Sequence, residues 1–213
     1  MAESRFEWED VTTECRDARV SPHGEEVRCL VNRERIRRRS TGETMTRLII
    51  RHPGVCVMVP FLDEARIVLV RQYRPSLDGE LWELPAGTVR GRQEGTRVVP
   101  AETPDACAAR ELVEETGYRA TRLRKVGECY AMPGGGDQLL HLYVAHELVR
   151  EAQALDEGEV IDEVRAFDAA ALERMIGRGE IRDAKTLVGL LFALGGRPGG
   201  VRIPSAPSPG ALD

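Results

Sequence analysis

The chain has 213 residues, a formal net charge of −5, and 42% hydrophobic and 31% charged residues. This length allows one main core with a small appendage, and the acidic balance argues against a protein that binds nucleic acid through a basic field. No apolar run approaches the ~20 residues of a membrane helix, and the first residues lack the apolar core of a signal peptide. Five scattered cysteines indicate reduced thiols. We therefore expect a cytoplasmic protein without membrane partners.

The N-terminal residues 1–45 are polar and rich in charge, with the sparse apolar residues of 27–36 lying among arginines. We predict a small β-rich segment here, separate from a main domain over 46–194. The basic cluster at 33–39 is either a solvated strand or turn, or a surface that faces phosphate or a second subunit. The solvated alternative is favoured.

The middle of the chain predicts strands at 47–50, 54–60, 67–73 and 81–85, because short apolar runs there alternate with turn residues. His52-Pro53 separates the first two strands. The strands at 54–60 and 67–73 are expected to form a hairpin. Residues 88–100 have no periodicity and include two glycines, so we predict a loop.

A short helix is predicted to follow this loop. Thr103 suits the N-cap, Pro104 the first helical position and Asp105 the positive end of the helix dipole. Gly117 is a suitable C′ residue in a left-handed conformation. The pattern therefore predicts a short helix that is capped at both ends.

The C-terminal part predicts strands at 139–145 and 160–167 and helices at 169–176 and 183–194, the second capped by Asp183. Residues 195–213 are rich in Gly, Pro and Ser, which favours a flexible tail. Strands at both ends with few helices predict an α+β fold, with a mixed β-sheet sandwiched between α-helices.

Three carboxylates, Glu111, Glu114 and Glu115, lie at i, i+3 and i+4 of the predicted helix. They share one face at ~100° per residue, where like charges repel each other. Either the face is simply solvated, or it holds a hard cation such as Mg²⁺ or Mn²⁺, which prefers carboxylate oxygens. Taken alone, the triplet favours the solvated alternative.

The flanking residues favour the metal. Gly87, Glu102 and the run Arg110-Glu-Leu-Val-Glu-Glu-Thr-Gly-Tyr118 together resemble the Nudix box, G-x5-E-x7-R-E-U-x-E-E-x-G-U, in which U is apolar. Every fixed position from Glu102 onward matches, with a loose fit at Tyr118. One departure is the interval from Gly87 to Glu102, which has fourteen residues where the family has five. We interpret residues 90–98 as an insertion whose arginines face substrate, a partner subunit or solvent.

Several flanking motifs are similar to those of the ADP-ribose pyrophosphatase subfamily: Arg51-His-Pro-Gly, Val70-Arg-Gln-Tyr-Arg-Pro, Glu80-Leu-Trp-Glu-Leu-Pro-Ala-Gly, Met132-Pro-Gly-Gly-Gly-Asp and Gly179-Glu-Ile-Arg-Asp-Ala-Lys-Thr. The resemblance implies the Nudix fold, a homodimer, and hydrolysis of ADP-ribose or a related nucleoside diphosphate sugar to AMP and a sugar phosphate. It also implies two to three Mg²⁺ ions, with Mn²⁺ as a substitute.

By the same resemblance, the metal ligands are the Ala86 carbonyl, Glu111, Glu115 and Glu114, the last directly or through water. Arg110 orients Glu114 across one helical turn. The general base is Glu157, with Glu159 as runner-up and Glu114 as an alternative. The substrate-binding residues are Arg51 and Arg74 for phosphate or ribose, Glu83 for adenine or ribose, and Gly135 in a glycine run near the terminal sugar.

Two alternatives stay open. One is a Nudix hydrolase of another nucleotide sugar, such as GDP-mannose, or of an oxidised nucleoside triphosphate. The flanking motifs count against the triphosphate. The other is a sensor that binds ADP-ribose without cutting it, but such a protein is expected to lose box carboxylates, and all are present here.

Overall fold

The computed structural model describes residues 4–21, 24–153, 155 and 160–195. The chain divides into two compact units, of which the first draws on residues 1–56, 86–108 and 128–141 and the second on 57–85, 109–127 and 142–213. The predicted base Glu157, its runner-up Glu159 and the predicted tail after Gly195 lie outside the described residues.

The N-terminal sheet consists of three antiparallel strands, β1 (Phe6–Ser21), β2 (Gly24–Arg38) and β3 (Thr44–Arg51). The sequence pattern did not reveal β1, because its residues are polar and the strand carries three register shifts. Arginines of the basic cluster form cross-strand ion pairs with β1 carboxylates: Arg33 with Glu14, Arg35 with Glu9, and Arg37 with Glu7 and Glu9. These pairs agree with the solvated-strand interpretation of this cluster.

The other strands are β4 (Val55–Pro60), β5 (Arg66–Arg74), β6 (Gly79–Glu83), β7 (Ala86–Thr88), β8 (Gly91–Glu94), β9 (Arg97–Pro100), β10 (Tyr118–Tyr130), β11 (Leu139–Arg150) and β12 (Ile161–Asp168). They pair in the orders β10-β11-β4-β7, β12-β5-β6 and β8-β9. The predicted hairpin of the strands at 54–60 and 67–73 is wrong, because β4 and β5 belong to different sheets, and the bridge between Phe61 and Ile67 is an isolated one.

The predicted loop at 88–100 is also wrong. Residues Gly91–Glu94 and Arg97–Pro100 form a β-hairpin, with Gly95 in the turn at φ +60°. Its Val98 side chain is buried with Val27 and Leu30 of β2. Charged residues in the turn mask this pattern, because a four-residue strand offers one buried apolar position.

In the part of the chain that the structure describes, three α-helices complete the fold: α1 (Pro104–Thr116), α2 (Ala169–Gly177) and α3 (Ala184–Leu194). In the second unit, α3 packs closely on Leu84, which directly follows β6, since a Cβ on Gly189 would lie 2.6 Å from Leu84 Cδ1. The mixture of sheets and helices confirms the predicted α+β class. Among the described residues, no helix is long and apolar enough to cross a membrane.

Candidate active site

Helix α1 begins and ends as the sequence predicts. The Thr103 hydroxyl accepts a hydrogen bond from the Ala106 amide at 3.2 Å, which satisfies one of the free amides of the first turn. At the other end, Gly117 has φ +66° and its amide donates to the Val113 carbonyl at 2.9 Å. Leu112 is fully buried on the apolar side. The carboxylates therefore lie on a helix whose two ends are fixed.

Two of the three carboxylates are buried. Glu111 is 3% exposed and Glu115 2%, whereas the Glu114 side chain is 21% exposed. The Arg110 Nη1 atom donates to Glu111 Oε1 and to Glu114 Oε2, each at 2.7 Å. The predicted pair of Arg110 with Glu114 is present, and Arg110 also holds Glu111. Burial of two carboxylates one turn apart is costly unless cations compensate their charge.

The donor set of α1 fits a hard divalent cation. Glu111 and Glu115 provide buried carboxylate oxygens, the ligand type that Mg²⁺ and Mn²⁺ prefer. Within the described ranges, no three His, Cys, Asp or Glu side chains are arranged to enclose an ion by themselves. A small divalent ion usually keeps several waters and completes its coordination shell with substrate oxygens. Two carboxylate ligands from the protein are therefore enough for such a site.

Arg74 belongs to a cluster of charges in the second unit. Its Nε and Nη2 atoms donate to the two carboxylate oxygens of Glu83 at 2.8 and 2.5 Å. The hydrogen bond with Glu83 is the largest influence that raises the pKa of Arg74, against the lowering effect of burial. The charges of Glu115 and Asp183 raise this pKa further. Glu115 of α1 therefore acts electrostatically on the arginine predicted to bind phosphate.

Lys185 is a member of this cluster that the sequence did not single out. Its ammonium group donates to Glu83 and, at 2.9 Å, to Asp183 Oδ2. Burial raises the pKa of Asp183, but Lys185 and hydrogen bonds from Thr186 outweigh burial and lower it. The motif at 179–186 is the available signal, but in the sequence Asp183 suggests only a helix cap.

Glu83 is 1% exposed and its carboxylate is engaged by two cations. Its predicted contact with adenine or ribose stays a prediction, and the contacts it makes hold Arg74 and Lys185. The hydroxyl of Thr186 links this cluster to the backbone by accepting from the Leu84 amide at 2.9 Å. Two residues near each other in sequence, Glu83 and Leu84, are thus tied to the start of α3.

A second group of predicted residues surrounds a cavity of about 320 Å³ in the first unit. Its lining includes Trp8, Arg51, Tyr130, Asp137 and the glycine run 134–136. Trp8 is 47% and Tyr130 59% exposed, so two aromatic rings are available to a ligand. The predicted residues Arg51 and Gly135 are therefore brought to one pocket.

The glycine run is fastened to the end of β3. The Ile50 amide donates to the Gly135 carbonyl at 2.9 Å, and the Asp137 amide donates to the Ile50 carbonyl at 3.1 Å. A Cβ on Gly136 would lie 2.8 Å from the Ile50 carbonyl oxygen, so the close approach requires glycine there. Asp137 then pairs with Arg51, at 3.0 Å between Oδ2 and Nη1.

His52 lies beside this loop as a half-buried base whose ring is neutral. Its backbone amide donates to Asp137 Oδ1 at 2.8 Å, and its ring Nδ1 accepts from the Gly54 amide at 3.0 Å. Burial lowers the pKa of His52 from 6.5 to about 4. The ring is therefore neutral at pH 7 and works as a hydrogen-bond acceptor.

The hairpin of β8 and β9 connects the first glutamate of the box to the N-terminal sheet, all within the first unit. Glu102 Oε1 accepts from the Arg90 amide at 2.8 Å. The Arg90 side chain forms an ion pair with Glu26 of β2 at 3.0 Å. The inserted segment thus packs on protein, and of its arginines, Arg90 contacts Glu26 while Arg92 contacts Glu94 within the hairpin.

Comparison with known proteins agrees with this geometry. The family model described as NUDIX domain matches residues 50–188. The chain is 34% identical over 153 residues to an ADP-ribose pyrophosphatase of Bacillus subtilis, an alignment that covers 71% of this chain and 77% of that protein. It is 34% identical over 145 residues to a GDP-mannose pyrophosphatase of Cronobacter sakazakii, covering 63% and 70%.

A solved structure described as an ADP compounds hydrolase has a similar fold, with a TM-score of 0.67 over 91% of this chain and 94% of that one. At 18% identity, this likeness concerns the fold alone. The match of the family model, the relatives above 30% identity and the carboxylates of α1 agree. The chain belongs to the NUDIX family.

Proposed function

We propose that this protein hydrolyses the pyrophosphate bond of ADP-ribose or a related nucleoside diphosphate sugar, with a divalent metal ion as cofactor. The observation that carries the proposal is the pair of buried carboxylates, Glu111 and Glu115, on the capped helix α1. The 34% identity to a protein named as an ADP-ribose pyrophosphatase supports the substrate class. Water and ADP-ribose would give AMP and ribose 5-phosphate.

Nudix pyrophosphatases generally need a divalent metal, and Mg²⁺ is the proposed ion, with two to three per site and Mn²⁺ as a substitute. Glu111 and Glu115 would hold it, with the Ala86 carbonyl and Glu114 as further ligands. When bound, such ions neutralise phosphate oxygens and lower the pKa of water. Arg110 orients Glu111 and Glu114 through its Nη1 atom.

Arg74 is proposed to bind a phosphate oxygen of the substrate. Glu83 already orients the guanidinium group of Arg74 and raises its pKa. Arg74 therefore remains charged throughout the physiological pH range. A guanidinium group that is held in advance loses little freedom when phosphate binds. Arg74 would then complement the negative charge that develops on the pyrophosphate during attack.

The proposed general base is Glu157, with Glu159 as the alternative, and both lie outside the described residues. The segment just before them supports the proposal. The Glu151 amide donates to the Gly117 carbonyl at 2.9 Å, and the Gln153 side chain donates to the Glu115 carbonyl at 2.5 Å. Glu157 follows Gln153 by four residues in the sequence.

The pocket with Trp8, Tyr130 and Arg51 is proposed to take the nucleoside part of the substrate, in place of the terminal sugar that the sequence led us to expect beside Gly135. Aromatic faces stack on nucleobases, and 320 Å³ is a suitable volume for one base and part of a sugar. GDP-mannose remains the second candidate substrate, because a relative at 34% identity is named for it.

The test is a substrate panel. The protein is incubated with Mg²⁺ and ADP-ribose, ADP-glucose, GDP-mannose, NADH or 8-oxo-dGTP, and phosphate released by a coupled phosphatase is measured. We expect the highest kcat/KM for an ADP-sugar. A higher kcat/KM for GDP-mannose would make GDP-mannose the proposed substrate in place of ADP-ribose. No turnover of any nucleotide sugar would contradict the proposal.

A homodimer is proposed as the active assembly. Apolar side chains on the N-terminal sheet support it, since Leu48 is 63% and Val20 88% exposed. Light scattering after gel filtration should give twice the 23.6 kDa of one chain. A mass of 23.6 kDa at micromolar concentration would contradict this part of the proposal.

A further inference from the structure

Glu34 is the most deeply buried carboxylate of the N-terminal sheet, and it faces four donor groups. It is 1% exposed. Its Oε1 atom accepts from Arg51 Nε at 2.8 Å and from Asn32 Nδ2 at 3.4 Å, and its Oε2 atom accepts from Arg51 Nη2 at 2.6 Å and Trp8 Nε1 at 2.7 Å. Every lone-pair direction of the carboxylate therefore has a partner.

The two strongest partners, Arg51 and Trp8, both line the 320 Å³ pocket, whereas Glu34 does not. A bidentate contact fixes the plane of the Arg51 guanidinium, and a hydrogen bond to the indole N–H fixes the rotation of the Trp8 ring. Asp137 holds the remaining terminal nitrogen of Arg51 at 3.0 Å. The orientation of two pocket walls thus depends on one buried side chain.

Hydrogen bonds through Asn32 hold Glu34 itself in place. Asn32 is fully buried. Its Oδ1 atom accepts from the Thr13 hydroxyl at 3.0 Å, and its Nδ2 atom donates to the Thr96 carbonyl at 2.8 Å as well as to Glu34. These contacts assign the amide orientation of Asn32, so that its nitrogen faces the carboxylate. The support reaches the turn of the inserted hairpin.

We propose that Glu34 is a positioning residue that aims Arg51 and Trp8 at the substrate and thereby sets substrate affinity. The inference rests on the proposed function, in which this pocket takes the nucleoside part. Glu34 contacts no substrate itself. Its loss should therefore raise KM and leave kcat nearly unchanged, because the carboxylates of α1 and Arg74 are untouched.

Glu34→Gln is the sharpest variant. The amide has one acceptor and one donor end, and both oxygens of Glu34 accept from Arg51. Either orientation therefore places an N–H group against an Arg51 N–H group. We expect KM to rise about 10- to 100-fold, the range for losing a charge-assisted hydrogen bond, with kcat within about threefold of wild type.

Glu14→Gln is the matched control, because Glu14 lies on the same sheet in an exposed ion pair with Arg33; its KM should equal that of wild type. Trp8→Phe keeps a ring and removes the indole donor. Since Glu34 acts partly through Trp8, the KM effects of Glu34→Gln and Trp8→Phe should combine to less than their product. A fully multiplicative double variant would contradict action through Trp8.

A binding measurement separates this inference from the proposed function. Calorimetric titration with ADP-ribose in EDTA needs no turnover. If the wild type binds ADP-ribose and Glu34→Gln binds it at least tenfold more weakly, the positioning role of Glu34 is supported even if no sugar nucleotide is hydrolysed. If the wild type hydrolyses ADP-ribose and Glu34→Gln keeps both its KM and its affinity, positioning is refuted while the function stands.

Glu34→Asp covers the case in which Glu34→Gln does not fold. It keeps the charge and shortens the side chain by one methylene, so it cannot reach Arg51 and Trp8 together. The KM of Glu34→Asp should lie between those of wild type and Glu34→Gln. If Glu34→Gln is not soluble, the KM of Glu34→Asp should still be several-fold above that of wild type. An unchanged KM in Glu34→Asp together with an unchanged KM in Trp8→Phe would overturn the proposal.

Discussion

At the scale of single residues, three buried acids among the described residues each accept from two cationic or polar partners. Glu83 accepts from Arg74 and Lys185, Glu34 from Arg51 and Trp8, and Glu26 pairs with Arg19 and Arg90. Such carboxylates are costly to bury unless every oxygen is satisfied. They therefore fix the geometry of the cations around them, which is the property a phosphate-binding site requires.

The two buried carboxylates of α1 give the first residue-level prediction. Glu115→Gln keeps the shape of the side chain but removes the charge that would hold a metal. We expect kcat/KM for the best nucleotide sugar to fall by more than about 100-fold, because metal ligation contributes several kcal/mol to the barrier. Steady-state kinetics on the purified variant are the measurement.

Glu180→Gln is the control for this variant, since the Glu180 side chain is exposed and forms a loose ion pair with Arg178 at 3.8 Å. It should keep wild-type kinetics. Near-wild-type turnover in Glu115→Gln would remove Glu115 from the metal site.

His52 gives a prediction on pH. Its pKa is about 4 in the folded chain against an ordinary 6.5, so the unfolded chain takes up the proton first as pH falls. The stabilisation is complete above pH 6.5 and is lost as pH falls to 4, by about 3 kcal/mol in unfolding free energy. His52→Asn keeps an acceptor for the Gly54 amide but does not titrate.

Urea unfolding at pH 7 and pH 4 measures this effect. Other groups titrate equally in both proteins. Between pH 7 and pH 4, the unfolding free energy of the wild type should therefore fall by about 3 kcal/mol more than that of His52→Asn. An equal loss in the two proteins would mean that His52 is not held neutral by burial.

At the scale of elements, the sequence predicted best where one local signal decided the structure. Helix α1 was predicted from Thr103 and Gly117, and α3 from its cap Asp183, because capping depends on neighbouring residues only. Strand partners were predicted worst. β4 and β5 were expected to pair because they are consecutive, but pairing is decided by burial against distant strands that no short window contains.

The residues of the candidate active site also divide into those that local spacing predicts and those that depend on distant partners. The spacing of Glu111, Glu114 and Glu115 on one face follows from helix geometry and needed no structure. Lys185 lies 102 residues from the Glu83 carboxylate that it contacts, and Glu34 lies 26 residues from Trp8. Both were missed, because an isolated charged residue in a sequence does not reveal the buried partner that gives it a role.

The inserted hairpin gives an element-level prediction. Gly91 begins β8, and a Cβ there would lie 2.6 Å from the Val27 carbonyl oxygen and 2.8 Å from Val98 Cγ1. Gly91→Ala should therefore push β8 away from β2 and reduce the unfolding free energy by about 1–3 kcal/mol. Denaturant unfolding is the measurement.

Gly177→Ala is the matched control, because nothing lies within 4 Å of a Cβ at the end of α2. That variant should be neutral or more stable by up to about 1 kcal/mol. If both alanines had the same effect, the hairpin would not be packed against β2 in solution.

At the scale of the whole molecule, the buried charges of α1 predict that metal binding and stability are linked. A ligand that binds only the folded state stabilises it by about 2.7 kcal/mol at a hundred times its Kd. For a chain of this size, the melting temperature should rise by about 5–10 °C with Mg²⁺. Differential scanning fluorimetry with Mg²⁺ and then EDTA measures the shift and its reversal.

Glu115→Gln should lose most of this shift, and Glu180→Gln should retain it. A melting temperature of the wild type that does not respond to Mg²⁺ or Mn²⁺ at millimolar concentration would argue against metal ligation by α1, independently of any substrate.

The hairpin between Gly87 and Glu102 also has a consequence for how this sequence diversified. Its turn carbonyl is bound by Asn32, its Arg90 pairs with Glu26, and its Val98 packs on Val27. An insertion that depends on three residues of a distant strand cannot be gained or lost alone. Among related sequences, the long interval should therefore be inherited together with Asn32 and Glu26, and relatives with five residues there should lack both.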